Sequence, residues 1–313
     1  MLIDEKKWQM KAIEQLEIYL VGGAVRDTIL GLEVKDEDFV VVGSSPAEMS
    51  SLGFLPIGKD FPVFLHPSTK SEYALARTER KTAVGHKGFE FYTNPEVTLT
   101  QDLKRRDFTI NAIAMDQDGK FIDPFGGIRD LENKVIRHIS PAFTEDPLRV
   151  FRAARFAARF KFKISTKTMK MMTEIVARGE TKYLSFERVW DELSKGLMEK
   201  YPSEMIRALL KCNVFVHLFK GITKQKDGES YPSIHLKSLI ASLNYLALKN
   251  FPLHIRFGVL INKILEDNYP NCFNQSETLE KFFSLFPLPK RYRDFTVVLN
   301  RFTNNISNIK SED

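Results

Sequence analysis

Hydrophobic and polar positions change period along the chain near residue 141. Before that point, short apolar runs of strand length are separated by glycine, proline and small polar residues; after it, apolar residues recur every three or four positions. The run 17–21 (EIYLV) predicts a strand, broken at Gly22-Gly23, with a helix over 24–30. A second strand is expected over 36–43, rich in valine at Val40, Val41 and Val42. Further β signals fall at 61–66, 72–77 and 89–92, with the polar loop Gly85-His86-Lys87-Gly88 between the last two. Residues 116–119 read as a hairpin turn and 123–127 (DPFGG) as a tight loop, while an amphipathic stretch over 4–16 predicts a short packing helix.

The second half predicts a long helix from Pro147 past Phe160, with Thr144 or Asp146 as its cap and proline in its first turn. Helices are expected over 168–178, 187–199, 203–213, 234–248 and 255–265. There is no internal repeat and no low-complexity tract. The fold class that follows is α+β, a mixed head followed by an all-helical remainder.

Composition narrows the class. At 43% hydrophobic and 27% charged, the 313 residues match a soluble globular protein with chain enough for two domains. No apolar stretch approaches the ~20 residues a bilayer needs, and the first residues lack a basic-then-apolar leader, so membrane insertion and export are not expected. Cys212 and Cys272 are distant and have no CxxC neighbour, which argues against a disulfide scaffold or structural zinc and for a reducing cytoplasm. Residues 1–160 carry 22 Lys+Arg and 24 Asp+Glu, net −2, whereas 161–313 carry 24 and 16, net +8. The basic half points to a polyanion held by that end.

Four clusters carry candidate chemistry. Gly22-Gly23-Ala24-Val25-Arg26 lies where a strand enters a helix; its glycines let backbone approach a phosphate, and Arg26 can reach the same anion with a bidentate fork. Standing alone it would be only a tight connection. Asp36-Glu37-Asp38 follows. On a strand beginning there, Asp36 and Asp38 share a face, a costly pairing unless a cation neutralises them, and Mg²⁺ takes one or two carboxylates plus substrate phosphate oxygens. In isolation it would be a solvated acidic turn. Lys104-Arg105-Arg106-Asp107 suits either a solvated basic patch or a triphosphate contact through Arg106. On the helix after Pro147, Arg149, Arg152, Arg155 and Arg159 form a one-sided basic stripe, which suits an exposed arginine face equally well.

In this order the clusters resemble the class II tRNA nucleotidyltransferase/poly(A) polymerase family of the polymerase β superfamily, and its bacterial CCA-adding branch above all. The resemblance rests on YLVGGAVR (19–26), VKDEDFVVVGS (34–44), GKDFPVFLH (58–66), YALARTERK (73–81), LKRRDFTINA (103–112), residues 141–160 and the neck-like ERVWDE (187–192). It is strong over about 17–200 and fades beyond. It implies a polymerase β-like nucleotidyltransferase head over 1–140, a helical neck for base recognition over 141–200 and a helical body and tail over 201–313 for tRNA binding. By the same resemblance Asp36 and Asp38 are the catalytic, metal-binding carboxylates. Gly23, Arg26 and Arg106 contact nucleotide phosphate, Asp146 and Arg149 read the base, and Arg152 and Arg155 add nucleotide contacts. Glu72 is a candidate third carboxylate.

The implied base reading is chemically coherent. Ionised Asp only accepts hydrogen bonds and Arg only donates, while cytosine and adenine each present an amino donor beside a ring-nitrogen acceptor. Guanine and uracil reverse that order. A buried unmet polar group costs ~1–3 kcal/mol, so two mismatches supply roughly 10²–10⁴-fold discrimination.

The implied activity is template-independent addition of C, C and A to the tRNA 3′ end from CTP and ATP with two Mg²⁺ ions, releasing pyrophosphate. The partner is tRNA; neither a membrane nor an obligate protein partner is indicated. Addition of CC or A alone, poly(A) synthesis, and a catalytically silent tRNA-binding protein are the alternatives. The full-length loop over 81–89 argues against CC-only addition, and the absence of a long basic C-terminal extension argues against poly(A) synthesis. Long relatives also carry a phosphohydrolase domain with a His-Asp metal dyad. Here Asn262 and Lys263 stand in its place, His235 is without partners and the chain ends at Asp313, so no phosphohydrolase activity is expected.

Overall fold

The structure is a computed structural model that describes residues 15–57, 63–81, 89–223, 236–269 and 275–309. The chain divides into two compact units, Met1–Asp146 and Pro147–Asp313. The helix expected over 4–16, most of the loop 81–89, His235 and Cys272 lie outside the described residues.

In the first unit, β1 (Glu17–Val21) is followed by α1 (Gly23–Ile29), β2 (Asp38–Val42) and α2 (Pro46–Ser51). Then come β3 (Leu55–Pro56), β4 (Val63–Leu65), β5 (Glu72–Leu75) and the hairpin β6 (Thr78–Lys81) and β7 (Phe89–Tyr92). The unit continues with α3 (Leu99–Lys104), β8 (Ala114–Met115), β9 (Phe121–Ile122), α4 (Gly127–Glu132) and β10 (Val135–Ile136). Seven strands form one sheet in the order β3-β4-β5-β2-β1-β8-β9, with β6 and β7 paired separately. β2 is antiparallel to β1 and parallel to β5, and that central trio fixes the register of the site.

Strand alternation sorts the two sheet faces. On one, Val21 and Val40 pack with Leu99 and Leu103 of α3 and with Ala112. On the other, Val41 and Leu75 pack with Met49, Leu52 and Phe54 around α2. Phe39 stacks on Tyr73 at 4.6 Å, tying β2 to β5. Local sequence explains the small helices that the periodicity does not predict. Ser45 caps α2 through the Glu48 N–H with Pro46 in its first turn, and Thr98 with Gln101 forms a capping box on α3.

β2 begins at Asp38, two residues later than expected. Val21 is the last residue of β1 and pairs with Asp38; Gly22, at φ 72°, turns the chain away, leaving residues 36 and 37 without a strand to join. Asp36 therefore precedes the strand, and alternation does not set its direction.

The second unit comprises α5 (Leu148–Phe160), β11 (Lys163–Ile164), α6 (Thr166–Ala177), α7 (Phe186–Met198), α8 (Pro202–Lys211) and α9 (Val214–Leu218). These are followed by α10 (Leu236–Leu248), α11 (Leu253–Asn268), α12 (Gln275–Leu285) and α13 (Lys290–Ile309). The six predicted helices are present with ends shifted by a few residues. Pro147 holds the position before the first turn of α5, one residue after Asp146 and three after Thr144. The buried Ala153, Ala154, Ala157 and Ala158 let α5 lie against α7 and α8. Arg256, 2% exposed, donates to the Leu197 carbonyl at 2.8 Å and the Phe251 carbonyl at 2.7 Å, tying α11 to the end of α7. Asn300 Nδ2 donates to Asn262 Oδ1 at 2.9 Å and to Gln275 Oε1 at 2.8 Å, forming a buried amide network among α11, α12 and α13. Among the described residues, no helix is long and apolar enough to cross a membrane.

Candidate functional site

A cavity of about 200 Å³ opens in the first unit at the ends of the central strands, lined by Asp38, Glu72, Arg77, Arg105 and Arg106 together with strand residues of β1, β2 and β5. Asp38 and Glu72 are register partners across the parallel β2–β5 pairing, so their side chains leave the sheet on one face. Both are exposed. Asp36, two residues before Asp38, is also exposed.

The cationic wall is built on Asp102, whose side chain is completely buried. Arg105 Nε donates to Asp102 Oδ1 at 2.9 Å, Arg106 Nη2 approaches Oδ2 at 3.3 Å, and the Arg77 backbone N–H donates to Oδ1 at 3.2 Å. Burial pushes the Asp102 carboxyl upward, but Arg105 and Arg106 outweigh it and hold the group below the ordinary carboxylate range. Burial lowers the Arg106 guanidinium from its ordinary value, with the charges of Asp102 and Asp38 opposing.

Gly22 and Gly23 meet both arginines of the anticipated phosphate site. A Cβ on Gly22 would stand 2.8 Å from Arg106 Nη1, and one on Gly23 would stand 3.5 Å from Arg26 Nη2. Arg26 is 3% exposed, with Nε on Asp27 Oδ1 at 2.8 Å and Nη1 on Asn111 Oδ1 at 2.5 Å. Two guanidiniums from distant segments thus converge on one glycine pair. Because α1 has only seven residues, positive potential here rests on those side chains rather than on a helix axis.

This donor set fits a metal-bound polyphosphate. Arg106 Nε is buried and has no acceptor among the described residues, which a phosphate oxygen would satisfy. Among the described residues, no group of three or more His, Cys, Asp or Glu could hold a metal by itself. Asp38 and Glu72 offer two carboxylates, and Mg²⁺ characteristically completes such a set with substrate phosphate and water.

In the second unit the arginine stripe is only partly exposed. Arg155 Nε donates to Glu192 Oε2 at 2.5 Å and Arg152 Nη1 to Oε1 at 3.4 Å, with Glu192 on α7 4% exposed. Arg155 also lies over the Phe156 ring at 4.6 Å. One buried carboxylate therefore sets the direction of both side chains. Arg149 occupies the first turn of α5, and Asp146 ends the preceding 3-10 turn in extended conformation.

Sequence reasoning passed over Asp102, Glu192 and Arg77. Each lies inside or beside a segment already singled out, but a lone acid in an amphipathic helix carries no signal of its partners. Nothing in the sequence signals that Gly22 has a positive φ or lies against the end of the Arg106 side chain.

Comparison with known proteins accords with this geometry. Residues 18–137 match the family model described as poly A polymerase head domain. Residues 161–226 match one described as probable RNA and SrmB-binding site of polymerase A. The chain is 52% identical over 263 residues to the multifunctional CCA protein of Nitrosospira multiformis, covering 82% of this chain and 63% of that one. It is 45% identical over 305 residues to that of Nitrosomonas eutropha, covering 93% and 74%. The chain thus spans under two thirds of the first relative and about three quarters of the second. Its structure is similar to the Thermotoga maritima CCA-adding enzyme complexed with tRNA-CCA, with a TM-score of 0.69, 25% identity and coverage of 99% of this chain and 72% of that one.

Proposed function

Because this chain belongs to the family of the bacterial multifunctional CCA proteins, we propose that it is a tRNA nucleotidyltransferase adding C, C and A to the tRNA 3′ end from CTP and ATP. The observation that carries the reading is the convergence of Asp38 and Glu72 on one cavity with Arg77, Arg105 and Arg106, beside a glycine pair that admits phosphate. The 3′-hydroxyl gives up its proton to solvent as its oxygen forms a bond to the α-phosphorus, the bond from that phosphorus to the bridging oxygen breaks, and pyrophosphate leaves.

Arg26 and Arg106 hold the triphosphate against the Gly22–Gly23 backbone and offset its charge. Asp38 and Asp36 supply the metal-binding carboxylates, with Glu72 as the third. Two Mg²⁺ ions, when bound, would lower the barrier by stabilising the attacking and leaving oxygens. Asp146 and Arg149 read the base through complementary acceptor and donor edges, so discrimination needs no template. Arg152 and Arg155, oriented by Glu192, add nucleotide contacts. The head, neck and tail boundaries near residues 140 and 200 follow the same reading, with the basic body and tail facing tRNA in the cytoplasm.

The decisive experiment supplies tRNA transcripts that end before the first C, end after CC, or are complete, with each nucleotide singly and in mixtures. Two C and one A followed by arrest is the expected result. Long A tails would reassign the protein to poly(A) synthesis, addition of CC or A alone to a partial enzyme, and no incorporation to a tRNA-binding role.

A further inference from the structure

The aim of Arg26 is set by residues outside its own motif. Its Nε is held by the neighbouring Asp27, and its Nη1 by Asn111, which belongs to the turn following the Arg105-Arg106 pair. Asn111 is itself buried, and its Nδ2 donates to Asp107 Oδ1 at 2.9 Å. The same oxygen accepts the Phe108 backbone N–H at 2.9 Å. A carboxylate only accepts, so Asp107 decides which end of the Asn111 amide faces it. The NH₂ end turns to Asp107, and the carbonyl end is left for the guanidinium. Arg26 is thereby gripped at Nε and Nη1, and its Nη2 lies 3.5 Å from where a Cβ of Gly23 would stand.

We propose that Asn111 is a positioning residue for nucleotide binding, orienting Arg26 towards the phosphates, with Asp107 selecting the productive face of its amide. The inference rests on the reading of Arg26 as a phosphate contact. A neutral amide suits this place: Asp27 already contributes one negative charge to Arg26, and a second carboxylate at position 111 would cancel the charge that a phosphate requires. Asn111 acts only through Arg26, so its loss weakens nucleotide affinity and leaves the chemical step and the grip on tRNA in place.

The test is steady-state incorporation by the full chain of wild type, Asn111→Ala, Asp107→Asn, Arg26→Ala and the double variant Asn111→Ala/Arg26→Ala. Loss of one hydrogen bond to a charged group should raise KM for CTP and ATP alike by about tenfold, with kcat and the KM for tRNA within threefold. In the Arg26→Ala background, Asn111→Ala should add less than twofold. An unchanged nucleotide KM, a fall in kcat alone, or additive effects would overturn the proposal. If Asn111→Ala does not fold, the near-isosteric Asp107→Asn replaces it and should raise both nucleotide KM values several-fold; unchanged values there are equally fatal. Absence of incorporation by wild type would instead refute the nucleotidyltransferase reading. A KM effect in Arg26→Ala but in neither Asn111→Ala nor Asp107→Asn would refute the positioning role alone.

Discussion

Asp102 and Arg106 stand one helical turn apart, and their contact divides the guanidinium between two tasks. Nη2 faces the buried carboxylate at 3.3 Å, while Nε is buried without an acceptor among the described residues. Nη1 meanwhile lies against Gly22. The carboxylate holds the arginine in place without consuming its whole donor set, and the remainder is available to an anion.

Replacing Asp102 with Asn should therefore cost both stability and nucleotide affinity. Removing one partner of a buried ion pair costs about 3–5 kcal/mol, and the partial exposure of both arginines places this case at the low end. Because Asp102 titrates below the ordinary carboxylate range, its stabilising effect is fully present above pH ~4 and is lost as pH falls through its folded-state value. Urea unfolding should show a constant gap between wild type and Asp102→Asn from pH 5 to 8, narrowing below pH 4. A pH-independent gap would count against the assignment.

Asp38→Ala should abolish incorporation while tRNA affinity, measured by filter binding, stays within a few-fold. Chelation of Mg²⁺ should stop wild-type turnover in the same way, with recovery on readdition. Retained turnover in either experiment would displace the carboxylates from the chemistry.

Gly22→Ala tests the crowded backbone. At φ 72° and ψ −123° the residue adopts a conformation that side chains disfavour, and its new methyl group would meet Arg106. A cost of about 1–3 kcal/mol in thermal or urea unfolding is expected, together with a higher KM for both nucleotides.

Arg149→Ala should relax base choice rather than stop chemistry. Competition between CTP and UTP, and between ATP and GTP, reads this directly. Discrimination should fall by roughly tenfold or more for the loss of one base-reading contact.

No phosphohydrolase turnover is expected with added Ni²⁺ or Mg²⁺. Asn262 is committed to amide and carbonyl partners, and Lys263 pairs with Glu266 at 2.6 Å. Metal-dependent release of phosphate from a model phosphoester by the purified chain would contradict this.

What was legible in the sequence was local. The turn from β1 into α1, the acidic approach to β2 and the arginine spacing of α5 each occupy a dozen residues or fewer, and their chemistry is visible in that span. The clamps were not. Glu192 reaches Arg155 across the packing of α7 on α5, and Asn111 reaches Arg26 from the far side of the sheet's sequence. Neither pairing leaves a periodic trace. The start of β2 shows the same limit from the other direction: alternation predicts a strand from residue 36, but it begins at Asp38, where its partner β1 ends. Helices α12 and α13 were missed as well. The expected helices stopped at residue 265, before the buried Leu279, Phe282 and Phe283 of α12 and the buried Thr296 and Asn300 of α13.

The contact between Gly22 and Arg106 also constrains how such a protein can change. A side chain at position 22 would have to displace the tip of an arginine from a different segment, so a change at either position is felt at the other.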